Sequence, residues 1–254
     1  MKDPSKTRMT IGNNILSSLP AAEFDFLVAR MEPVTLANGT MIANAGDTLC
    51  RCYFPNSGMI SLLSVTETGK AVEVGYTGRE GMVGLTAVLG KREMPYQALV
   101  QAGSDGFFID ADVVAELFGR CGVFHDAVLR YAYVVLRQIS QTAVCNHFHT
   151  IQARLCRWMT VMSERSGKRN LTLTQEFIAH MLGVQRTSVG MIATAMQADG
   201  LIRYRRGKVE ILDFDRMRNS SCECYFVIEN EMTEYMNIKN YAKMSDARQT
   251  RVLT

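Results

Sequence analysis

Residues 173–213 read LTQEFIAHMLGVQRTSVGMIATAMQADGLIRYRRGKVEILD, from Leu173 to Asp213, and the reading of this stretch decides the fold. Thr174 is placed to cap a helix whose first turn holds Glu176, while Phe177, Ile178, Met181 and Leu182 recur at the three-to-four spacing of a buried helical face. Gly183 ends that helix, because a residue without a Cβ takes the left-handed conformation with little strain. A second helix is expected from about Gln185 to Ala198, burying Val189, Ile192, Ala193 and Met196. Its outer, N-terminal side then carries Gln185, Arg186, Thr187, Ser188 and Met191, the positions a recognition helix offers to base edges. Arg186 is the commonest guanine-reading side-chain type, and Gln185 either contacts a base or only caps the helix.

Helix, glycine and helix alone also describes an ordinary helical hairpin, so the next twelve residues carry the distinction. Ile202 to Arg206 and Lys208 to Leu212 alternate apolar and polar residues about Gly207, which predicts a β-hairpin with Arg205, Arg206 and Lys208 crowded at its tip. Like charges this close repel unless solvent or an anion offsets them, and the anion that suits a wing beside a recognition helix is a backbone phosphate. The expected phosphate contacts are therefore Thr174, Arg205, Arg206 and Lys208, and the expected partner is double-stranded DNA. A net charge of +3 over 254 residues is weak evidence of any partner, but its distribution is not: ten Lys and Arg face five Asp and Glu between 147 and 213, whereas residues 1–146 are slightly acidic.

The length allows two domains, and 47% hydrophobic residues suffice for packed cores. No apolar run reaches the roughly 18 residues of a membrane span, and the polar start MKDPSKTR is not followed by a secretory apolar core, so a cytoplasmic protein with no membrane partner is expected. Seven cysteines, an odd number without an export signal, argue for reduced thiols. From about Val34 to Ile109, short β-type runs are punctuated by glycine, among them Met59 to Val65, Ala71 to Tyr76 and Gln97 to Ala102, with Thr66 to Lys70 as a hairpin loop. Many short strands with regular turns suggest a jelly roll or barrel. Before them, Pro20 to Met31 reads as a short amphipathic helix with Phe24, Leu27 and Val28 inward.

A long helix is expected from about Ala111 to His147, interrupted around Gly119 to Gly122. Cys121, His125, Val128, Ala132, Val135, Ile139 and Thr142 follow steps of four and three and trace one stripe along it, which either packs on its own domain or forms a seam with a second copy. Since Leu129, Tyr131, Val134 and Leu136 make further faces apolar, one side can lie on the barrel and another on a partner, and the expected dimer seam is Val128, Ala132, Val135 and Ile139.

The order of parts resembles the Crp/Fnr family of bacterial transcription regulators over about residues 15 to 213, most specifically in Thr-Gln-Glu, Leu-Gly-Val, Arg-Thr-Ser-Val and Gly-Leu-Ile-Arg-Tyr-Arg-Arg-Gly between Leu173 and Asp213. The resemblance implies an α+β chain: an N-terminal sensor β-roll (jelly roll, cyclic-nucleotide-binding-like) over 1–110, a long connecting and dimerisation helix over 111–147, a C-terminal winged helix-turn-helix over 148–213, and a tail over 214–254. It also implies a homodimer on a palindromic site, with RNA polymerase as a further candidate partner. Family members that bind cyclic AMP hold the ribose on a Gly-Glu pair and the cyclic phosphate on an Arg-Ser/Thr-Ala run; here Gly84-Leu85 and Tyr96-Gln97-Ala98 stand instead, so cyclic AMP is not expected and the effector is unknown. Arg79 and Glu80 lie nearby and are expected in a surface turn. The family's oxygen sensors hold an iron-sulfur cluster on closely spaced N-terminal cysteines, and this chain has none before Cys50. Cys50-Arg-Cys52 and Cys222-Glu-Cys224 would each, in a strand, turn two thiols to one face, half of a metal site; neither has the usual spacing, so unligated thiols and no metal are expected. Among His125, His147, His149 and His180 no pair has evident haem-ligand spacing. In the reading helix the family pattern Arg-Glu-x-x-Gly-Arg becomes Arg186-Thr187-Ser188-Val189-Gly190-Met191, which implies a different half-site.

No nucleophile elbow, phosphate loop or zinc-protease helix is present, so there is no catalytic residue to name and no enzyme is expected. The alternative, an interaction or sensor protein with a vestigial DNA-binding domain, predicts loss of the wing cations, which are present. Beyond Asp213, the patchy pattern from Met232 to Tyr241 carries no assignable chemistry, and a frayed helix or disorder is the default for the tail.

Overall fold

The computed structural model describes residues 11–237. Two short helices, α1 (Asn14–Ser17) and α2 (Ala21–Val28), precede seven strands: β1 (Glu32–Leu36), β2 (Met41–Ala43), β3 (Arg51–Pro55), β4 (Met59–Val65), β5 (Ala71–Thr77), β6 (Gln97–Ala102) and β7 (Ser104–Asp110). They form two antiparallel sheets, ordered β1-β7-β3 and β2-β6-β4-β5, which close into the roll. Thr66 to Lys70 is the hairpin loop between β4 and β5, closed by a Thr66 N–H to Lys70 carbonyl bond of 2.8 Å. In α2, Phe24 and Leu27 are buried as expected and Val28 is half-buried.

The continuous apolar run of β4 has a physical reason, because both of its faces are covered. Ile60 and Leu62 point into the roll and join one core, whereas Met59 and Leu63 belong to a second core shared with Trp158, Met162, Met181 and Leu182 of the C-terminal domain. The period-two alternation of the strand is thus divided between two cores instead of between core and water.

After the roll come α3 (Ala111–Gly119) and α4 (Val123–Phe148), parted at Arg120-Cys121-Gly122, where Cys121 adopts φ 54°. The start of α4 is capped from a distance: the Glu23 carboxylate accepts from Val123 N at 2.8 Å and Phe124 N at 2.7 Å. A Cβ on Gly122 would collide with that carboxylate, so only glycine admits the cap. At 26 residues, α4 is about 39 Å long.

Its burial corrects the seam assignment. Val128 (0% exposed) and Val135 (6%) pack in the chain's own core, Ala132 is half-buried, and of the four only Ile139 (37%) is open. The open apolar face lies one residue further on, at Leu129, Tyr133 and Leu136, with 44%, 54% and 63% exposure. Elsewhere on the same stripe Thr142 is buried, His125 half-buried and Cys121 exposed.

Two residues after α4, α5 (Ile151–Ser166) begins, capped by the Thr150 hydroxyl, and every residue from Arg154 to Ser163 is buried between the roll and the helix-turn-helix. There follow β8 (Asn170–Thr172), α6 (Gln175–Leu182), α7 (Arg186–Ala198), β9 (Ile202–Arg205) and β10 (Lys208–Ile211), the strands forming a sheet ordered β8-β10-β9. The frayed or disordered tail is also corrected as far as Asn237: α8 (Phe214–Asn219) and α9 (Cys224–Asn237) follow, and Tyr225, Ile228, Met232 and Tyr235 of α9 are buried. The end of the Met232 to Tyr241 stretch lies outside the described residues. Among the described residues no helix is long and apolar enough to cross a membrane.

Candidate nucleic-acid interface

Each part of the predicted reading head is set by local chemistry. The Thr174 hydroxyl accepts from Phe177 N at 3.1 Å and caps α6, and Gly183 ends it at φ 62°. Val189, Ala193 and Met196 anchor α7 in the core while Ile192 is half-buried. Gln185 sits at the N-cap position of α7 but makes no side-chain capping bond, which leaves its amide free for another partner. Gln185, Arg186, Thr187 and Met191 are exposed, Met191 at 69%, and Ser188 is half-buried. An exposed methionine that size on an otherwise polar helix start has no packing role within the chain.

The wing is a two-residue hairpin whose turn, Arg206-Gly207, has both φ values positive, at 51° and 74°. That is the turn whose twist matches paired strands, and it throws the flanking side chains outward. Arg203 pairs with Glu210 at 2.5 Å, whereas among the described residues Arg205, Arg206 and Lys208 enter no ion pair and all three are exposed. The Gly207 carbonyl accepts from Leu173 N at 2.8 Å, and the Tyr204 hydroxyl donates to the Leu173 carbonyl at 3.1 Å. These bonds hold the wing tip against Thr174, so the residues expected at phosphate are brought together at one edge of the domain. Strand β8, which pairs with β10 from Asn170 to Thr172 and stiffens the wing, was not foreseen.

The reading head does not hang free of the roll. Trp158 Nε1 donates to the Glu73 carboxylate at 3.1 Å, and Ser61 donates to the same oxygen. Burial pushes the Glu73 carboxyl above its ordinary value, only partly opposed by those two donors and by Arg157. Glu80 is a second correction: Arg79 is exposed as a surface turn would have it, but Glu80 is 0% exposed. Its carboxylate pairs with Arg165 of α5 at 2.6 Å and accepts from Gly78 N, while its backbone carbonyl accepts from Tyr235 of α9. One buried ion pair therefore joins roll, reading domain and C-terminal helix. Inside the roll, Leu85 and Tyr96 lie in one apolar cluster with Met82, Met94, Ala98 and Tyr131.

Residues 153–220 match the Crp-like helix-turn-helix domain and residues 33–121 the cyclic nucleotide-binding domain, which together span more than half of the chain. No curated protein matches the chain in sequence. Among solved structures, the chain is similar to a regulator of the crp/fnr family from Eubacterium rectale, at 18% identity and a TM-score of 0.65 over 81% of this chain and 96% of that one. It is also similar to the c-di-GMP-responsive global regulator CLP of Xanthomonas campestris, at 17% identity and a TM-score of 0.63 over 76% and 100% of the two chains. A CRP/FNR-family transcriptional regulator of Thermus thermophilus is 21% identical with a TM-score of 0.62, over 75% and 98%. With a cyclic nucleotide-binding domain, a long helix and a Crp-like helix-turn-helix in that order, the chain belongs to the Crp/Fnr family of transcription regulators.

Proposed function

We propose that this regulator acts as a homodimer on a palindromic DNA site, reading bases with the start of α7, holding phosphates with the wing, and answering a signal other than cyclic AMP. The observation that supports this reading best is the exposure of Arg186, Thr187 and Met191 at the start of α7, together with a wing whose Gly207 lies against Thr174 and whose exposed Arg205, Arg206 and Lys208 enter no ion pair among the described residues. Bidentate Arg at guanine is the commonest specific contact in the major groove. Replacing Arg186 with Ala should therefore cost about 1–3 kcal/mol at the cognate site and relax preference at one base pair per half-site. A binding selection on random-sequence duplexes measures both, and an unchanged preference would remove Arg186 from the reading surface.

The wing has a different expected signature. Neutralising Arg205, Arg206 or Lys208 singly should weaken binding to all sequences alike and lower the salt dependence of log K by about one counterion. If titrations from low to moderate salt find the loss confined to the selected site, the wing reads bases and the division of labour is wrong.

For the dimer, the support is the open apolar face of α4 at Leu129, Tyr133 and Leu136, in the four-three rhythm of a two-helix seam. For the effector, the support is chemical. Leu85 and Tyr96 stand where family members that bind cyclic AMP carry a carboxylate and a guanidinium, and both sit in an apolar cluster. Isothermal titration with cyclic AMP should give no heat of binding, and a micromolar isotherm would return the nucleotide to the roll. RNA polymerase remains the natural further partner of a bound regulator in this scheme.

A further inference from the structure

The third buried cluster of the molecule is made of thiols rather than hydrocarbon: Cys145, Cys222 and Cys224, with Ala153 as its half-buried apolar neighbour. Cys145 lies in the last turn of α4 and His149 one turn later at its end, so the two side chains share a face. Cys222 and Cys224 flank the start of α9, not a strand, and the chain's fold brings them to the same point. Cys145 Sγ lies 3.5 Å from Cys222 Sγ, and Cys224 Sγ lies 3.4 Å from His149 Nδ1. All four donor atoms lie within 4.8 Å of one another.

We propose that Cys145, His149, Cys222 and Cys224 form a tetrahedral site for a single zinc ion. Three observations of different kinds meet here. The first is distance: zinc–sulfur bonds of about 2.3 Å in a tetrahedron hold the sulfurs about 3.8 Å apart, close to the spacing present, whereas an iron-sulfur cluster inserts several atoms between its thiolates and spreads them further. Free thiols have no reason to converge with an imidazole in a pocket with so little apolar lining. The second is the surrounding support. His149 Nε2 lies 3.0 Å from the Glu223 carboxylate, an arrangement that keeps the proton on Nε2 and leaves the Nδ1 lone pair aimed at the sulfurs, as ligating histidines require. Gln141 Nε2 donates to Cys224 Sγ at 3.1 Å, which favours the thiolate form.

The third is charge. Arg154 and Arg157, in the first two turns of α5 just after His149, are buried, and each has an Nε with no hydrogen-bond partner among the described residues. Three thiolates and one Zn²⁺ carry a net −1, which neutral thiols do not supply; Arg157 already has Glu73 beside it, whereas Arg154 donates to an uncharged carbonyl, that of Leu182. Loading converts three thiols and a neutral imidazole into a four-coordinate ion with release of the three thiol protons. The ion would pin the end of α4 to the start of α9 beside His149 and Thr150, the two residues that separate α4 from α5 and hence the roll from the reading domain. The sequence offered Cys222 and Cys224 as half of a metal site but not the other half, because Cys145 and His149 stand more than 70 residues away, and the expectation of unligated thiols is the one this site would overturn.

The test uses the full chain purified without chelator. Elemental analysis should give about one zinc per chain, and the zinc-free chain refilled with Co²⁺ should show the thiolate charge-transfer and tetrahedral visible bands of a site with three thiolates and one imidazole. The Cys222→Ser/Cys224→Ser variant should lose both signals, while Cys50→Ser/Cys121→Ser, at two exposed thiols, should keep them. Because a ligand variant can fail to fold, the melting temperature of the unaltered chain is followed as well, and it should fall on chelation and return on adding zinc. Zinc well below stoichiometric together with no melting response would overturn the site. Stoichiometric iron and sulfide with a brown chromophore would overturn the single-ion assignment.

Discussion

Leu136→Glu should turn the protein into a monomer that has lost most of its specific affinity for DNA without the loss of any DNA contact. Leu136 is 63% exposed in the single chain, so a carboxylate there meets water and the subunit folds normally. In a dimer joined along α4 the same change sets two like charges against each other across the axis in a closed apolar seam, a penalty of several kcal/mol. A lone helix-turn-helix then meets one half-site, and the gain from tethering two reading heads disappears. Light scattering reports the mass and gel shift the affinity. A dimer that persists with intact binding would move the interface off this face. Val135→Glu makes an instructive contrast, since Val135 sits in the chain's own core and its replacement should unfold the subunit instead of separating two of them.

The second large effect is expected at Arg165. Its guanidinium, with 15% of the side chain exposed, faces Glu80 at 2.6 Å and Glu229 at 3.8 Å, and the Glu80 side chain has no access to water. Arg165→Met leaves a buried carboxylate with only the Gly78 N–H to hold it. Breaking a buried pair from one side costs about 3–5 kcal/mol, which for a chain of this size lowers the melting temperature by roughly 6–20 °C. Adding Glu80→Gln should recover most of the loss, because the orphaned charge is then gone. A single variant that melts like the unaltered protein, or a double variant no better than the single, would mean that the pair does not hold the three units together.

What the sequence made legible follows from the range of the forces involved. The helix-turn-helix was readable because its determinants are local: the Thr174 cap, the Gly183 terminus, the 3.6-residue rhythm and the Gly207 turn all act within a few residues. The seam was misplaced by one residue because α4 has two adjacent apolar stripes in the same rhythm, Val128-Ala132-Val135 and Leu129-Tyr133-Leu136, and only the position of the roll says which is inward. The tail did contain its signal: Tyr225, Ile228, Met232 and Tyr235 are spaced three, four and three, a stripe that starts seven residues ahead of the patchy stretch from Met232. Glu80 and the thiol cluster were out of reach for another reason. Their partners lie 75 to 85 residues away, and no spacing rule links groups that only the tertiary fold brings together.

The central claim, that α7 and the wing of two copies read a palindromic site, is tested most directly by hydroxyl-radical footprinting on a duplex selected for tight binding. The account predicts a two-fold symmetric footprint whose half-sites are centred about 34 Å, one helical turn, or a multiple of that apart, with symmetric loss of base preference in Arg186→Ala. Protection of one unsymmetric patch, or selection that enriches no sequence at all, would contradict it.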